Sequence, residues 1–459
     1  MNTVFWFRRD LRIGDNEALS DAVAEAAGSK LVPCYLLDTA AFDSLEGIRQ
    51  HSLVESLRAL SGSLDGSLAV IQRSSLDSAI ERLCEIAANL EAKTVFATRA
   101  FDPIGIAEQN RVGLALKEHG VFLKLVGSNY AVQPGSVTKP DGTPYRVYTP
   151  FYKAWVQLLE VAPLESKAEI LARANFARIE EAGLLPIASK DSPIPVKAGE
   201  QFALRTFERF RMRALDSYDE LRNRADVSGT SHLSHALAHG EIHPRTLLAA
   251  LGDSSGHEVY RKEIAWREFY ADVLWHNPQT LDDYFEPRFA GMRYDTGPEA
   301  ERRFEAWKAG RTGYPMVDAG MRQLAQTGWM HNRLRMIVAS FLVKDLHLEW
   351  QRGAAWFEAN LSDFDPASNS HGWQWTAGCG TDASPYYRVF NPVMQGLKFD
   401  PNGDFVRRFV PELKHIEGAA VHEPWNLLDG YSGGYPEPIV DHAREREESL
   451  ARLEELKQR

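Results

Sequence analysis

The chain has few of the features that mark secreted, membrane or metal-binding proteins. Its three cysteines, Cys34, Cys84 and Cys379, lie far apart, in neither CxxC nor metal-ligand spacing. We therefore expect reduced thiols in a cytoplasmic protein without a metal site. It has no apolar run of about eighteen residues, so we expect no transmembrane helix. The N-terminus becomes charged after one short apolar run, which indicates a buried strand rather than a secretory signal.

Basic charge and common nucleotide motifs are also scarce. The formal net charge of −11 excludes a surface that is basic throughout. It does not exclude DNA, because phosphate contacts need only a local basic patch and salt screens charges beyond roughly 8–10 Å. The first strand is not followed by GxGxxG, and GxxxxGK[ST] does not occur, which weakens the dinucleotide and P-loop interpretations.

Short apolar runs alternate with helical patterns over the first 130 residues. The runs predict strands at Val4–Phe7, Leu31–Leu37, Leu68–Ile71, Thr94–Ala97 and Val121–Val126. Helical patterns fill the intervals at Asn16–Ala27, Arg49–Ser61, Leu76–Leu90 and Ile106–His119. This alternation is typical of an α/β domain with a doubly wound parallel sheet.

The rest of the chain predicts a long linker and a larger all-α domain. Residues 131–198 are punctuated by Pro and Gly, and from about Gly199 the apolar spacing is helical. We therefore predict an α/β domain over 1–130, a linker over 131–198 and a helical domain over 199–459. The segment 148–155 is expected to pack on a neighbour, and the charged C-terminal segment 441–459 is expected to form a solvated helix.

A polar and aromatic run from Asp363 to Trp375 is the most informative part of the chain. It reads DFDPASNSHGWQW, with two acids, an Asn and two Trp among thirteen residues. This composition is unusual for a core helix, because buried carboxylates and amides need hydrogen-bond partners. It is typical of a site for a flat, redox-active ring with polar edges, which the acids and amide can bond and the indoles can stack against.

Three other segments combine polar and aromatic side chains in a similar way. Residues 229–234 read GTSHLS before a helical pattern, and hydroxyl and backbone N–H groups at a helix start bind anions. On a helix, Glu263, Trp266 and Tyr270 share one face, and Arg267 lies one turn after Glu263. Residues 328–336 read GWMHNRLRM, a composition too polar for an ordinary core helix.

In this order and near this spacing, the four segments resemble the flavin-binding core of DNA photolyases and cryptochromes. The resemblance covers nearly the whole chain and is closest to class I photolyases of cyclobutane pyrimidine dimers. It implies that the helical domain binds FAD. The residues implied to bind FAD are Tyr218, Thr230, Ser231, His232, Leu233, Ser234, Arg267, Trp329, Asn332, Arg335, Asp363, Asp365 and Asn369.

The resemblance also implies a light-driven reaction on DNA. Excited, fully reduced FAD would donate one electron to a dimer flipped out of the duplex, the cyclobutane ring would split, and the electron would return. The residues implied to take part in catalysis are Glu263, Trp266, Asn332, Met336, Asn369 and Trp375. Trp266 and Trp375 would stack on the fused bases and Glu263 would bond their edge. The residues implied to contact DNA are Arg222, Glu263, Trp266, Arg333, Trp375 and Arg388.

Related enzymes reduce oxidised FAD through three Trp residues. Trp373 and Trp350 match the proximal and middle members. At the position of the third, distal tryptophan this chain departs from the family pattern. The candidates to replace it are Tyr294 or another surface residue. His371 is a second departure, since many relatives have Gly there; it could touch the flavin or the lesion, or simply pack or be solvated.

The first domain is implied to hold a second, light-harvesting chromophore, either methenyltetrahydrofolate or a deazaflavin. Residues 101–105 read FDPIG where deazaflavin binders often carry Pro-Tyr-Gly-Arg, so the sequence does not choose between the two. The partner implied is ultraviolet-damaged DNA, with no membrane and no metal, and we expect a monomer. The alternatives are a cryptochrome-type blue-light sensor, a photolyase for 6-4 photoproducts, and a flavin electron-transfer protein that does not bind DNA.

Overall fold

The five predicted strands form one parallel sheet. The computed structural model describes residues 1–382 and 387–458. The strands are β1 (Thr3–Phe7), β2 (Leu31–Asp38), β3 (Ala69–Arg73), β4 (Thr94–Thr98) and β5 (Phe122–Val126). Their order is β3-β2-β1-β4-β5, and every pair is parallel. The doubly wound sheet is therefore confirmed.

The central strand β1 is buried on both faces, which explains why its residues from Val4 to Phe7 are all apolar. Phe5 and Phe7 pack into one apolar layer, whereas Val4 and Trp6 pack into the other. The helices that follow the strands in this part of the chain are α1 (Glu17–Ala26), α2 (Thr39–Ser44), α3 (Gly47–Ser63), α4 (Leu76–Asn89) and α5 (Pro103–Glu118).

The predicted linker contains two helices, α6 (Tyr148–Leu158) and α7 (Lys167–Arg173). In α6, Trp155 is fully buried and its Nε1 donates to Glu268 Oε2 at 2.6 Å. The same carboxylate accepts from the backbone N–H groups of Ala131 and Val132. The prediction that segment 148–155 packs on a neighbour is therefore confirmed at Trp155.

The chain from residue 199 onward is helical in the residues that the structure describes. Its α-helices are α8 (Glu200–Arg213), α9 (Tyr218–Leu221), α10 (Ser234–His239), α11 (Pro244–Leu248), α12 (Ser255–His276), α13 (Pro298–Lys308), α14 (Pro315–Thr327), α15 (Asn332–Lys344), α16 (Trp350–Asn360), α17 (Pro366–Ala377), α18 (Pro392–Phe399), α19 (Asp404–Phe409) and α20 (His442–Gln458). The last helix is not merely solvated as predicted, because Ser449, Arg452 and Leu456 are buried on one face.

Residues 366–375 of the polar run lie in α17, which is a largely buried helix. Asp365 caps α17 by accepting from Ser368 N at 2.9 Å, and Pro366 occupies the first turn. Ser370 and Gln374 of this helix bond to a neighbouring turn, whereas the Asn369 Oδ1 atom has no partner among the described residues.

By spatial contact the chain divides into two compact units. The first comprises Met1–Tyr145, Thr149–Arg213 and Ser231–His276, and the second comprises Arg146–Tyr148, Ala214–Thr230 and Asn277–Arg459. The chain-order domain boundaries at 130 and 198 stay a prediction. Within residues 1–382 and 387–458, none of the helices is both long and apolar enough to cross a membrane. Over the same residues we find no cluster of His, Cys, Asp and Glu suited to a metal ion.

Candidate flavin and DNA site

In the first unit, helix α12 carries the predicted lesion face. Glu263, Trp266 and Tyr270 lie on this one helix at the spacing that places them on a common side. The Trp266 ring packs 5.5 Å from the Tyr270 ring and 5.7 Å from the Phe269 ring. These aromatic contacts fix the indole, which is a prerequisite for a stacking platform.

Arg267 ties two backbone segments of the first unit together. Its guanidinium donates to the carbonyls of Asn129 and Leu237 at 3.2 and 3.3 Å and lies 4.5 Å above the ring of Tyr130. Leu237 belongs to α10, the short helix that follows the predicted phosphate-binding segment. Arg267 therefore holds α10 in place, and its predicted direct contact with the flavin stays a prediction.

The predicted phosphate-binding segment adopts a sharp turn before α10. His232 has a φ of +53°, a conformation that costs a non-glycine residue energy, and Leu233 occupies the N-cap position without a side-chain cap. Ser234 is the first residue of α10. Burial raises the pKa of Tyr260 to about 12, and the Ser231 hydroxyl bonds its phenol. Thr230, the residue before Ser231, ends a segment of the second unit.

In the second unit, Arg333 is held by an asparagine that the sequence analysis did not single out. Its Nε and Nη2 atoms donate to Asn223 Oδ1 at 3.1 and 2.7 Å, and its guanidinium lies 4.6 Å above the Phe399 ring. Tyr218 begins α9 and is largely buried, whereas Arg222 follows the same helix and is half-buried. Asn223 therefore connects the α9 segment to the start of α15.

The predicted pair of Arg335 and Asp363 is present. Arg335 Nη2 donates to Asp363 Oδ2 at 2.6 Å, and Arg335 Nε donates to the Met330 carbonyl at 2.9 Å. The carboxylate of Asp363 is 1% exposed, yet its second oxygen, Oδ1, has no hydrogen-bond partner among the described residues. A buried acceptor in this state requires a donor from a ligand or solvent.

Asn369 presents a second buried acceptor. Its Nδ2 donates to the carbonyl of Ala354 on α16 at 3.1 Å, whereas its Oδ1 is buried and has no partner in the described part of the chain. Because a carbonyl can only accept, this bond fixes which end of the amide is the nitrogen. Asp363 and Asn369 thus both offer acceptors, which suits a ring whose edge carries N–H groups.

The opposite face of α17 is fastened to a short turn at residues 278–281. Ser370 Oγ and Gln374 Nε2 both donate to the Thr280 carbonyl, at 2.5 and 2.9 Å. His371 is fully buried, its Nε2 lies 3.4 Å from Thr280 Oγ1, and burial lowers its pKa to about 3. His371 therefore packs against the turn as a neutral ring.

Of the two tryptophans predicted to transfer electrons to FAD, Trp373 lies on α17 and Trp350 lies on α16. Trp350 begins that helix, and Trp373 packs against Gly353 one turn later, where a Cβ atom would lie only 2.1 Å from the indole. The Trp373 ring also lies 5.0 Å from the Phe357 ring and 6.2 Å from the Trp307 ring. Tyr294 is half-buried against the same core.

Sequence reasoning missed Gly353, Tyr284 and Trp307. A glycine inside a helical pattern was a usable signal for Gly353, because it marks a close approach. Tyr284 and Trp307 are joined to the relay by contacts between residues far apart in sequence: the Tyr284 ring lies 6.1 Å from the Trp350 ring. No local pattern could have indicated those contacts.

The remaining predicted residues have surface available for a ligand. Asn332 and Arg388 are exposed, whereas Trp329, Met336 and Trp375 are half-buried. Arg388 also accepts a hydrogen bond from Lys344 Nζ through its carbonyl at 2.6 Å. Residues 383–386 lie outside those that the structure describes.

Comparisons with known proteins agree with this arrangement. The family model described as the FAD binding domain of DNA photolyase matches residues 260–455, and a DNA photolyase model matches residues 3–169. Curated relatives called deoxyribodipyrimidine photo-lyase include one from Agrobacterium fabrum, 39% identical over 98% of this chain and 96% of the relative. Another, from Escherichia coli, is 35% identical over 98% of each chain.

Two solved structures, a photolyase and a cryptochrome, are also similar to this chain over nearly its whole length. A bacterial class III photolyase from Agrobacterium tumefaciens has a TM-score of 0.89 and 37% identity, covering 100% of this chain and 98% of that one. A Synechocystis cryptochrome has a TM-score of 0.84 and 26% identity, covering 98% of this chain and 99% of that one. The chain belongs to the DNA photolyase family and contains the FAD-binding domain of that family. The predicted membership of class I stays a prediction.

Proposed function

We propose that this chain splits cyclobutane pyrimidine dimers in ultraviolet-damaged DNA, using blue light and FAD. The observation that carries the proposal is the pair of buried, unpartnered acceptors, Asp363 Oδ1 and Asn369 Oδ1, in the second unit. Relatives over nearly the full length of the chain are called deoxyribodipyrimidine photo-lyase.

These residues fit a flavin. When bound, FAD supplies the light-driven electron transfer. Arg335 orients the Asp363 carboxylate, so that its second oxygen can accept a hydrogen bond from the cofactor. The Asn369 oxygen can accept from a ring N–H, and its amide nitrogen is held by Ala354, so the amide does not need to rotate. Asp365 is held similarly, since its Oδ1 already caps α17.

The lesion contacts are assigned by resemblance and by exposure. Trp266 and Trp375 each offer an indole face, and aromatic stacking on a base contributes roughly 1–3 kcal/mol. A dimer pairs and stacks poorly in a duplex, which lowers the cost of flipping it out. Glu263 would form a hydrogen bond with the edge of the lesion. Asn332 and Met336 would lie beside it, with Arg222, Arg333 and Arg388 on the DNA phosphates.

Light-dependent recovery of thymine absorbance tests the proposal. The purified protein, reduced with its FAD, is incubated with irradiated oligothymidine in blue light and in darkness; recovery should occur only in light. Trp375→Ala should weaken binding to this substrate. The matched control is Trp356→Ala, a half-buried tryptophan on α16 that has no predicted contact with the lesion. A protein that binds FAD yet gives no recovery in light would contradict the proposal.

The predicted contact of Arg388 with DNA phosphates is tested by the salt dependence of DNA binding. Arg388→Ala should weaken binding to damaged and undamaged DNA alike and should reduce the salt dependence of binding. Arg446→Ala, which removes an exposed arginine of α20, is the control. Equal effects of the two substitutions would remove Arg388 from the DNA surface.

The lesion, the antenna and the cellular setting remain our predictions. The same assay with 6-4 photoproducts tests the alternative substrate, and a protein that binds neither lesion would favour the cryptochrome-type sensor. A second chromophore, either methenyltetrahydrofolate or a deazaflavin, is expected in the α/β domain; a Sulfolobus tokodaii photolyase of similar fold is described with two FAD molecules. We also expect a cytoplasmic monomer.

A further inference from the structure

Helix α15, in the second unit, buries two polar side chains one turn apart. Ser340 and Lys344 are 1% and 2% exposed. Taking an amine out of water costs free energy unless it gains a partner, and burial lowers the pKa of Lys344 to about 7. A lysine is rarely fully buried unless its amine has a bonding role. Both side chains have such a role in the structure, and both act on the same neighbouring segment.

The segment that they bond is residues 387–390, which we call the Arg388 segment and which belongs to no helix or strand. Lys344 Nζ donates to the Arg388 carbonyl at 2.6 Å, and Phe390 N donates to Ser340 Oγ at 3.2 Å. The Lys344 amine also lies 4.1 Å from the centre of the Tyr387 ring. Two side chains of α15 thus hold a carbonyl and an N–H group two residues apart, so they fix the backbone of the segment.

The backbone of Arg388 is anchored, whereas the residue is exposed to solvent. A segment without secondary structure otherwise loses conformational freedom when it binds a ligand, and ordering one residue lowers a binding constant by a factor on the order of ten. Anchoring the segment before the ligand arrives removes that cost. The bonds from α15 therefore favour binding through the Arg388 guanidinium, whose charge and fork of N–H groups suit a phosphate.

The start of the same helix carries residues that are predicted to contact the lesion or DNA, namely Asn332, Arg333 and Met336. Met336, Ser340 and Lys344 follow one another at four-residue intervals, so they lie along one side of α15. At 1.5 Å per residue, Lys344 is roughly 12 Å along the helix axis from Met336. Every residue of α15 from 337 to 344 is buried, so close packing makes the helix a rigid connection between these two positions.

We propose that Lys344 is a positioning residue for DNA binding: together with Ser340, it holds Arg388 in a fixed position relative to the lesion residues of α15. This inference rests on the proposed function, in which Arg388 binds a DNA phosphate. Lys344 is buried and acts through the backbone of Arg388. Because α15 carries Met336 and anchors Arg388, the folded protein sets the separation between the lesion and the bound phosphate before DNA arrives.

Equilibrium binding of the FAD-loaded protein to duplex DNA with one cyclobutane dimer tests the inference. Lys344→Met keeps an unbranched side chain and removes the donor, so it should weaken binding on the order of tenfold. The double variant with Arg388→Ala should bind as weakly as Arg388→Ala alone, because Lys344 acts through Arg388. The rate of light-driven repair at saturating DNA should stay as in the wild type, so that KM rises and kcat does not.

A second variant and a control complete the test. Ser340→Ala removes only the acceptor of Phe390 N, and it should likewise weaken binding without adding to the effect of Arg388→Ala. The control is Tyr314→Phe, which removes a buried hydroxyl that donates to the Val440 carbonyl at 2.9 Å. Tyr314 has no predicted contact with DNA, so this variant should bind DNA as tightly as the wild type.

The outcomes separate the inference from the proposed function. Wild-type affinity in a folded Lys344→Met variant, or a loss that adds to that of Arg388→Ala, would overturn the inference, whereas light-driven repair by the wild type would still support the proposed function. If Lys344→Met does not fold, wild-type affinity in Ser340→Ala overturns the inference instead. Wild-type affinity in Arg388→Ala would refute that DNA contact and the inference together.

Discussion

Replacing Gly353 by Ala tests whether helix α16 holds Trp373 in place. A Cβ atom at this position would lie 2.1 and 2.5 Å from Cη2 and Cζ3 of Trp373 and 2.6 Å from Cδ2 of Leu342. Two carbon atoms pack without repulsion at about 3.5–4 Å, so the Trp373 indole must move away from the new methyl group by roughly 1 Å or more. Phe357 and Trp307 lie against the same indole and restrict that movement.

Two opposing free energies decide the effect on stability. Alanine in a helix is favoured over glycine by about 1 kcal/mol. Overpacking a rigid core typically costs about 1–3 kcal/mol, and a buried indole flanked by two rings places this case near the upper end. We therefore expect Gly353→Ala to lower the free energy of unfolding by about 1–2 kcal/mol, measured by urea denaturation.

The matched control is Gly113→Ala, in the interior of α5. There the added Cβ would meet Leu123 Cδ2 at 3.6 Å, an ordinary contact, so only the helix preference acts. This variant should be more stable than the wild type by up to about 1 kcal/mol. If Gly353→Ala gained as much stability as Gly113→Ala, the close packing of Trp373 on α16 would be refuted. Photoreduction of bound FAD should slow only in Gly353→Ala.

Three further predictions concern buried polar groups. Arg335→Ala leaves the Asp363 carboxylate buried without its partner, so we expect a loss of about 3 kcal/mol in urea denaturation and weaker FAD binding in spectroscopic titration; wild-type stability would contradict the pair. Gln374→Leu removes the amide that bonds to the backbones of Thr280, Asp283 and Phe285. It should lower the free energy of unfolding by about 2 kcal/mol in thermal denaturation, and an unchanged free energy would show that these bonds are unimportant. Burial raises the pKa of Asp345 to about 6, above its value in the unfolded chain. The folded chain therefore binds more protons than the unfolded chain at this residue, so the contribution of Asp345 to stability falls as the pH rises from about 4 to 6. Asp345→Asn should therefore gain stability relative to the wild type by up to about 2 kcal/mol between pH 4.5 and 7, whereas a pH-independent difference would refute the shift.

The sheet and several helices could be predicted because their signals are local. Each strand of the first unit is a short apolar run, since both faces of a parallel sheet are covered. The burial of Ser370 and Gln374 on α17 could not be predicted in this way, because their partners are distant in sequence. Ser370 and Gln374 bond Thr280, about ninety residues earlier, at separations of 90 and 94.

In the candidate site, too, some residues could be predicted from the sequence and others could not. The pairing of Arg335 with Asp363 was predicted because family motifs contain both residues, and the structure places them 2.6 Å apart. The role of His371 was left open between ligand contact and packing, and the Thr280 contact at 3.4 Å decided for packing. Asn223 beside Arg333 was not predicted, because nothing in its local sequence distinguishes it from a surface loop residue.

The sequence by itself determined the family and the parallel sheet and indicated which residues are predicted to bind a flavin, because motifs and apolar spacing are properties of consecutive residues. The tertiary structure decided which oxygen of Asp363 and of Asn369 is left for a ligand. It also placed Trp373 against Gly353 and put Tyr284 beside Trp350. Those outcomes depend on side chains that are distant in sequence and meet only when the core is packed.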